Sequence, residues 1–175
     1  MVYPDANRTL RITFGTVRGY QPRDAVSYGP FTTAAGIVEK ETGQAPFLSP
    51  PGLIEAIQAR DFAPYGSGEP LQLPVDFLST ADTTGGNSGS PTLNGRGELV
   101  GLLFDGNWES LIADWEFLPA VTRSIHVDVR YLLWVMDRVD NAEHLLRELG
   151  LGRGGGSGGK PADPDPDPEL GGREG

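Results

Sequence analysis

The chain has 175 residues, a formal net charge of −10 and no cysteine. This length is sufficient for one domain with a hydrophobic core. The negative charge argues against nucleic acid as a partner, because phosphate binding needs clustered lysine and arginine. Without cysteine the chain has no disulfides and no thiol chemistry.

The first residues, Met1-Val2-Tyr3-Pro4-Asp5, lack the basic start and the apolar core of a signal peptide. No apolar run approaches the roughly 18 residues that a membrane span needs. We therefore expect no membrane span, and either a cytoplasmic protein or a chain that is part of something longer.

The first half of the chain is predicted to form short strands with one helix between them. Residues 8–20 alternate apolar and polar side chains, which predicts a half-buried strand with inner positions Leu10, Ile12 and Phe14. A second strand is predicted over Thr32–Lys40, and a third over the apolar stretch Leu71–Thr80. The helical spacing of Leu53, Ile54 and Ile57 predicts a short helix over Gly52–Asp61.

The second half begins with a hairpin and ends with a helix. Asn94-Gly95 joins strands predicted at Pro91–Leu93 and Glu98–Phe104, and Asn-Gly is a strong hairpin signal. Several short strands with glycine and proline turns favour a sheet or a barrel. From Val127 the apolar period becomes 3.6, which predicts one helix of about six turns. Four aromatic side chains are interpreted as core rather than as a ligand platform: Trp108, Trp115, Phe117 and Trp134.

The most informative stretch is Gly86-Asn87-Ser88-Gly89-Ser90-Pro91. Glycine tolerates positive φ and lets another backbone approach closely, so Ser88 is expected on a tight turn beside bare backbone N–H groups. A serine nucleophile needs this setting, because the N–H groups stabilise the oxyanion that forms when the hydroxyl attacks a carbonyl. A bare G-x-S triplet is more often a surface loop. The longer string resembles the G-D-S-G-G-P sequence around the nucleophile of chymotrypsin-fold peptidases.

Further motifs, in order along the chain, resemble the dipeptidyl-peptidase 7/11 family of bacterial serine peptidases from about Tyr3 to Leu149. They are Tyr3-Pro4-Asp5-Ala6-Asn7, Gly15-Thr16-Val17, Glu39-Lys40-Glu41, the turn Thr84–Pro91, the stretch Gly101–Glu109 and Val127-Asp128-Val129-Arg130-Tyr131. The resemblance implies a chymotrypsin-like double β-barrel with an inserted helical domain, and an activity that removes dipeptides from peptide N-termini. It also implies that His and Asp of the triad lie well upstream of this segment.

The resemblance divides the chain into three parts. Residues 1–126 are expected to form the second β-barrel half of the peptidase domain, mainly β and incomplete in this chain, with the nucleophile. Residues 127–151 are expected to form the long C-terminal helix packed on it. Residues 152–175, rich in glycine, aspartate and proline, are expected to be disordered.

Within the resemblance Ser88 is the expected nucleophile, and the N–H groups of Gly86 and Ser88 are the expected oxyanion donors. A serine hydroxyl needs a base to take its proton. The chain has two histidines, His126 and His144. His144 is expected at the surface or in packing, and His126 falls where family members usually carry another residue. We therefore expect the base outside this chain.

The resemblance assigns the substrate contacts to Asp105 and Gly106. The aspartate at the first position helps to bind the free α-amino group of the substrate, and a carboxylate is the right partner for an ammonium. At the second position an arginine favours acidic substrate side chains and a glycine favours apolar ones, so Gly106 implies an apolar preference. On residue chemistry alone, Asp105-Gly106-Asn107 is a polar turn.

Two functions are open. The first is a serine-type dipeptidyl aminopeptidase, acting on peptides with a free N-terminus and needing no cofactor or metal, whose nucleophile segment is this chain. The second is a catalytically inactive remnant or binding module. A trypsin-like endopeptidase is weaker, because an amine anchor at Asp105 would block internal sites. By resemblance alone we expect a periplasmic or cell-surface location, and a homodimer of the full-length protein.

Overall fold

The computed structural model describes residues 8–152, and these form two compact units. We call residues 8–31 and 76–127 the strand unit, and residues 32–75 and 128–152 the helical unit. The predicted disorder of residues 152–175 lies almost entirely outside the described residues. The division of the chain at residue 126 into a barrel half and a C-terminal part remains a prediction.

The described residues contain seven short strands. They are β1 (Tyr20–Arg23), β2 (Val26–Tyr28), β3 (Phe31–Thr33), β4 (Pro74–Ser79), β5 (Pro91–Leu93), β6 (Leu99–Gly106) and β7 (Ser124–Asp128). β1 and β2 form a hairpin, and the other five form one sheet in the order β3-β4-β7-β6-β5. This mainly β structure with a few helices confirms the coarse fold prediction, whereas the chymotrypsin-like barrel remains a prediction.

The strand unit has a small core on which the register of the sheet depends. Val17, Phe77 and Val100 are buried together, and the Phe31 ring packs on Phe77 with 6.3 Å between centroids. Gly101 lies opposite Phe77, where an added Cβ would come within 2.7 Å of that ring and 2.5 Å of the Val127 carbonyl oxygen. Glycine is therefore required at this crossing of β6, β4 and β7.

The helical unit contains α1 (Ala34–Lys40), α2 (Pro51–Ala59), α3 (Val129–Arg138) and α4 (Glu143–Glu148). Its core surrounds the fully buried Trp134, whose indole N–H donates to the Asp61 carbonyl at 2.9 Å. The N-cap of α3 is Asp128, whose side chain accepts the Arg130 N–H and binds the Arg130 guanidinium. None of the described helices is long and apolar enough to cross a membrane.

The prediction of one long C-terminal helix was wrong. The helix ends after Arg138, and a second one begins at Glu143. The Val135 carbonyl accepts N–H groups from both Val139 and Asp140, and Asn141 has a φ of 51°. Asparagine tolerates this left-handed conformation, which stops a helix. The apolar period continues through the break, so periodicity alone could not reveal it.

Two strand predictions were also wrong. Residues 8–19 contain only an isolated bridge between Val17 and Ser79, and the side chains of Leu10, Ile12 and Phe14 are 83–92% exposed. A strand needs a neighbour to accept its hydrogen bonds, and none of the described strands pairs with residues 8–15. In the predicted strand over residues 32–40, only Thr32 and Thr33 are in a strand (β3), and α1 follows.

Among the aromatic side chains interpreted as core, Trp134 is fully buried, but Trp108 and Trp115 are 80% and 73% exposed. Trp108 opens a short 3-10 helix, Trp108–Ile112, directly after β6. The prediction was therefore wrong for these two tryptophans.

Candidate active site

Ser88 lies on a compact turn between β4 and β5. Gly86 and Gly89 both have a φ of 86°, a conformation that side chains disfavour. The Asn87 side-chain oxygen accepts the Thr84 N–H at 3.0 Å, and the Thr84 carbonyl accepts the Asn87 N–H at 3.3 Å. The glycines and the asparagine of the motif therefore produce the turn that the sequence predicted.

Backbone hydrogen bonds join the C-terminal side of the turn to strand β6. The Gly89 N–H donates to the Leu103 carbonyl at 2.7 Å, and the Leu103 N–H donates to the Ser90 carbonyl at 2.9 Å. The Thr84 hydroxyl donates to the Asp114 carboxylate at 3.0 Å. These bonds fix both ends of the turn relative to the segment that follows β6.

The Ser88 hydroxyl is exposed and makes one long hydrogen bond, of 3.4 Å, to the Phe104 carbonyl. Within residues 8–152, neither the N–H of Gly86 nor that of Ser88 has a hydrogen-bond acceptor. An exposed hydroxyl and backbone N–H groups in the same turn are components that acyl transfer uses.

Asp105 and Gly106 end strand β6, directly after the carbonyl that contacts Ser88. The structure therefore places Asp105 and Gly106 in the two chain positions that follow the carbonyl bonded to Ser88. The Asp105 carboxylate is exposed and accepts the Gly106 N–H at 2.8 Å. One carboxylate oxygen is thereby oriented by the backbone of the next residue.

Asn107 holds this end of β6 in place, and sequence reasoning treated it only as part of a polar turn. It is 7% exposed, and its amide donates to the Val121 carbonyl at 2.7 Å and to the Glu109 carboxylate at 2.9 Å. Its side-chain oxygen accepts the Arg123 N–H at 2.9 Å, and its own N–H donates to the Arg123 carbonyl at 3.0 Å. Both sides of Asn107 are therefore attached to the segment before β7.

Arg123 in turn supports that segment. Its guanidinium is buried and donates to carbonyls of Gly19 at 2.9 Å, Pro119 at 2.9 Å and Thr122 at 2.6 Å. Burial lowers the pKa of this guanidinium. No sequence signal could have identified Arg123, because arginine is mostly exposed and two of its acceptors, the carbonyls of Arg18 and Gly19, lie about a hundred positions away in the chain.

Neither histidine contacts Ser88. His126 lies in β7, is 3% exposed, and stacks on the Phe77 ring with 4.8 Å between centroids. Its Nε2 lies 2.8 Å from the Ser79 hydroxyl and its Nδ1 lies 2.7 Å from the Thr92 hydroxyl. Burial lowers its pKa to about 4. His144 is exposed on α4, in the helical unit.

The site combines an exposed serine hydroxyl, backbone N–H groups and an exposed carboxylate, and the ring nitrogens of His126 bond to Ser79 and Thr92 rather than to Ser88. The described residues include no group of three or more His, Cys, Asp or Glu side chains that would hold a metal ion. The chemistry that this arrangement supports is attack by the Ser88 hydroxyl on a carbonyl, once a base is supplied.

Comparison with known proteins gives the site a context. Residues 1–151 match the family described as Peptidase S46. The Asp/Glu-specific dipeptidyl-peptidase of Shewanella putrefaciens (strain CN-32) is 48% identical over 171 residues, which cover 86% of this chain and 23% of the relative. Dipeptidyl-peptidase 7 of Porphyromonas endodontalis is 45% identical over 148 residues, covering 84% of this chain and 18% of the relative. The chain thus spans about a fifth of the length of these relatives.

Crystal structures of a relative also superpose on this chain. The crystal structure of Porphyromonas endodontalis DPP11 in complex with substrate superposes with a TM-score of 0.79 at 43% identity, over 84% of this chain and 22% of that chain. The same protein in complex with the dipeptide Arg-Asp gives a TM-score of 0.76 at 43% identity, over 78% of this chain and 20% of that chain.

Proposed function

Because this chain belongs to the peptidase S46 family, we propose that it is the nucleophile segment of a serine-type dipeptidyl aminopeptidase. Ser88 attacks the carbonyl of the bond to be cut, and the N–H groups of Gly86 and Ser88 hold the oxyanion. The observation that carries the proposal is the 3.4 Å contact between the Ser88 hydroxyl and the Phe104 carbonyl, because Asp105 follows Phe104 directly in the chain and this supports a shared site.

Asp105 is proposed to bind the free amino group of the substrate. An α-amino group is mostly protonated at neutral pH, with a reference pKa of about 7.7–8.0. Moving it out of water needs a fixed carboxylate in return. The Gly106 N–H orients one oxygen of Asp105, and the proposed spacing between this anchor and Ser88 is about two residues of peptide. A dipeptide is the product that this spacing favours.

We propose that the residue before the cut bond is apolar. One similar relative is named Asp/Glu-specific and another is dipeptidyl-peptidase 7, at 48% and 45% identity, so similarity does not choose between them. Residues 99–116 contain no lysine or arginine but four acidic side chains: Asp105, Glu109, Asp114 and Glu116. An excess of negative charge in this segment disfavours an acidic substrate side chain. The exposed side chains of Phe104 and Leu111 offer apolar contacts instead.

The base and its partner are proposed to come from a His/Asp segment upstream, as the resemblance implies, and the periplasmic or surface location and the homodimer likewise rest on the resemblance. We call this chain joined to such a segment the complete protein. The second candidate, an inactive remnant or binding module, is favoured by the environment of His126, which leaves Ser88 without a base in this chain.

The test is Asp105→Asn in the complete protein. Asparagine keeps the oxygen that accepts the Gly106 N–H but removes the charge. Removing one partner of a buried charge pair costs about 2–5 kcal/mol, so kcat/KM for dipeptide substrates with a free N-terminus should fall roughly 30-fold or more. N-acetylated substrates should be poor for both forms. Asp24→Asn, at the exposed turn between β1 and β2, is the matched control. A change within about threefold would place the amine anchor elsewhere.

A further inference from the structure

Position 106 is limited to glycine by one neighbouring side chain. A Cβ added to Gly106 would overlap the Ser110 hydroxyl and lie 3.2 Å from the Ser110 Cβ, and its next neighbour is the Arg123 carbonyl oxygen at an ordinary 3.7 Å. Gly106 does not have the positive φ that excludes side chains, unlike Gly86 and Gly89. The backbone therefore accepts a side chain at 106, and Ser110 is the obstacle.

The Ser110 side chain is held in this position. Its hydroxyl donates to the Asn107 carbonyl at 2.6 Å, and its N–H donates to the same oxygen at 2.9 Å. Asn107 is itself buried and bound on both sides to Arg123. Rotation of the hydroxyl away from Gly106 would break a short hydrogen bond, and it would leave the Cβ contact unchanged.

We propose that Ser110 is a specificity-determining residue, because its side chain occupies the space where any side chain at position 106 must begin. The charge preference of the pocket is then set by residues 106 and 110 together. A cationic side chain at position 106 reaches the pocket only when the side chain at position 110 is also made smaller. This inference rests on the proposed function, which assigns the pocket to Gly106.

The steric part is tested on the 175-residue chain, without any activity, by a double-mutant cycle in urea unfolding. Gly106→Ala should lower the unfolding midpoint, and it should cost less than half as much in a Ser110→Gly background. Gly52→Ala is the control, because Gly52 lies in α2 with nothing within 4 Å of an added Cβ. Its effect should be equal in both backgrounds. An equal cost of Gly106→Ala in both backgrounds would overturn the role of Ser110.

The specificity part is tested in the complete protein with chromogenic dipeptide substrates ending in Leu or in Glu. Gly106→Arg with Ser110→Gly should shift the kcat/KM ratio toward Glu by about tenfold or more beyond Gly106→Arg alone. Equal shifts for both variants would overturn the proposal. If coupling appears in unfolding but neither variant moves the ratio, the pocket assignment to Gly106 fails and the specificity role of Ser110 fails with it.

Discussion

The burial of His126 leads to a pH dependence of folding that can be measured on this chain. The imidazole is 3% exposed and lies between the hydroxyls of Ser79 and Thr92. Hydroxyl groups can accept hydrogen bonds, so these partners do not prevent protonation. The cause of the shift is burial, which disfavours the charged ring and lowers the pKa of His126 to about 4 from its ordinary 6.5.

The size and direction of the effect follow from this difference. Above pH 6.5 the ring is neutral in both the folded and the unfolded chain, and the stabilisation is fully present. Between about pH 6.5 and 4 the unfolded chain binds one more proton than the folded chain, so stability falls as the pH falls. A gap of about 2.5 pKa units, at about 1.4 kcal/mol per unit, corresponds to a loss of about 3 kcal/mol.

The assay is urea unfolding of the parent chain and of His126→Gln at several pH values between 4 and 7.5. Glutamine occupies a similar volume, bonds to hydroxyls and does not titrate. Subtracting one free energy of unfolding from the other cancels the contribution of the carboxylates, because these titrate in both proteins. We expect this difference to change by about 3 kcal/mol across the range. A difference that stays constant with pH would refute the reasoning.

Three further predictions concern the chain itself. Residues 1–175 alone should not release product from a dipeptidyl chromogenic substrate, because neither histidine, both of them within the described residues, bonds to Ser88. Product release by the parent chain that is lost in Ser88→Ala would contradict this. The isolated chain should self-associate through the exposed Leu10, Ile12 and Phe14 at the concentrations used in sedimentation. Replacing all three by Ser or Thr should increase the monomer fraction, whereas a parent chain that is monomeric at those concentrations would contradict this. Asp128→Asn should destabilise the chain by about 3–5 kcal/mol, because it removes the carboxylate charge beside the buried Arg130. The control is Glu98→Gln, at the exposed ion pair with Arg96, which should leave the urea midpoint nearly unchanged.

The local features of this protein were predictable from neighbouring residues. Gly86 and Gly89 adopt the positive φ values that only glycine takes readily, and Asn87 closes the turn on Thr84. The hairpin at Asn94-Gly95 and the helix near Gly52–Asp61 also agree with the structure, as β5, β6 and α2. The turn, the hairpin and the helix each depend on contacts between residues a few positions apart in the chain. The local sequence was therefore sufficient to predict them.

Only the tertiary structure decided the features that depend on residues far apart. The support of Asp105 and Gly106 passes through Asn107 to Arg123, whose guanidinium binds a carbonyl more than a hundred positions away. Ser110 limits position 106 because a 3-10 helix returns its side chain over the end of β6. Residues 8–15 have the alternation of a strand, yet their apolar side chains are exposed because no described strand pairs with them. Whether a residue is buried or paired in a sheet depends on the residues that surround it in the fold. The residue type shows only that burial or pairing is possible.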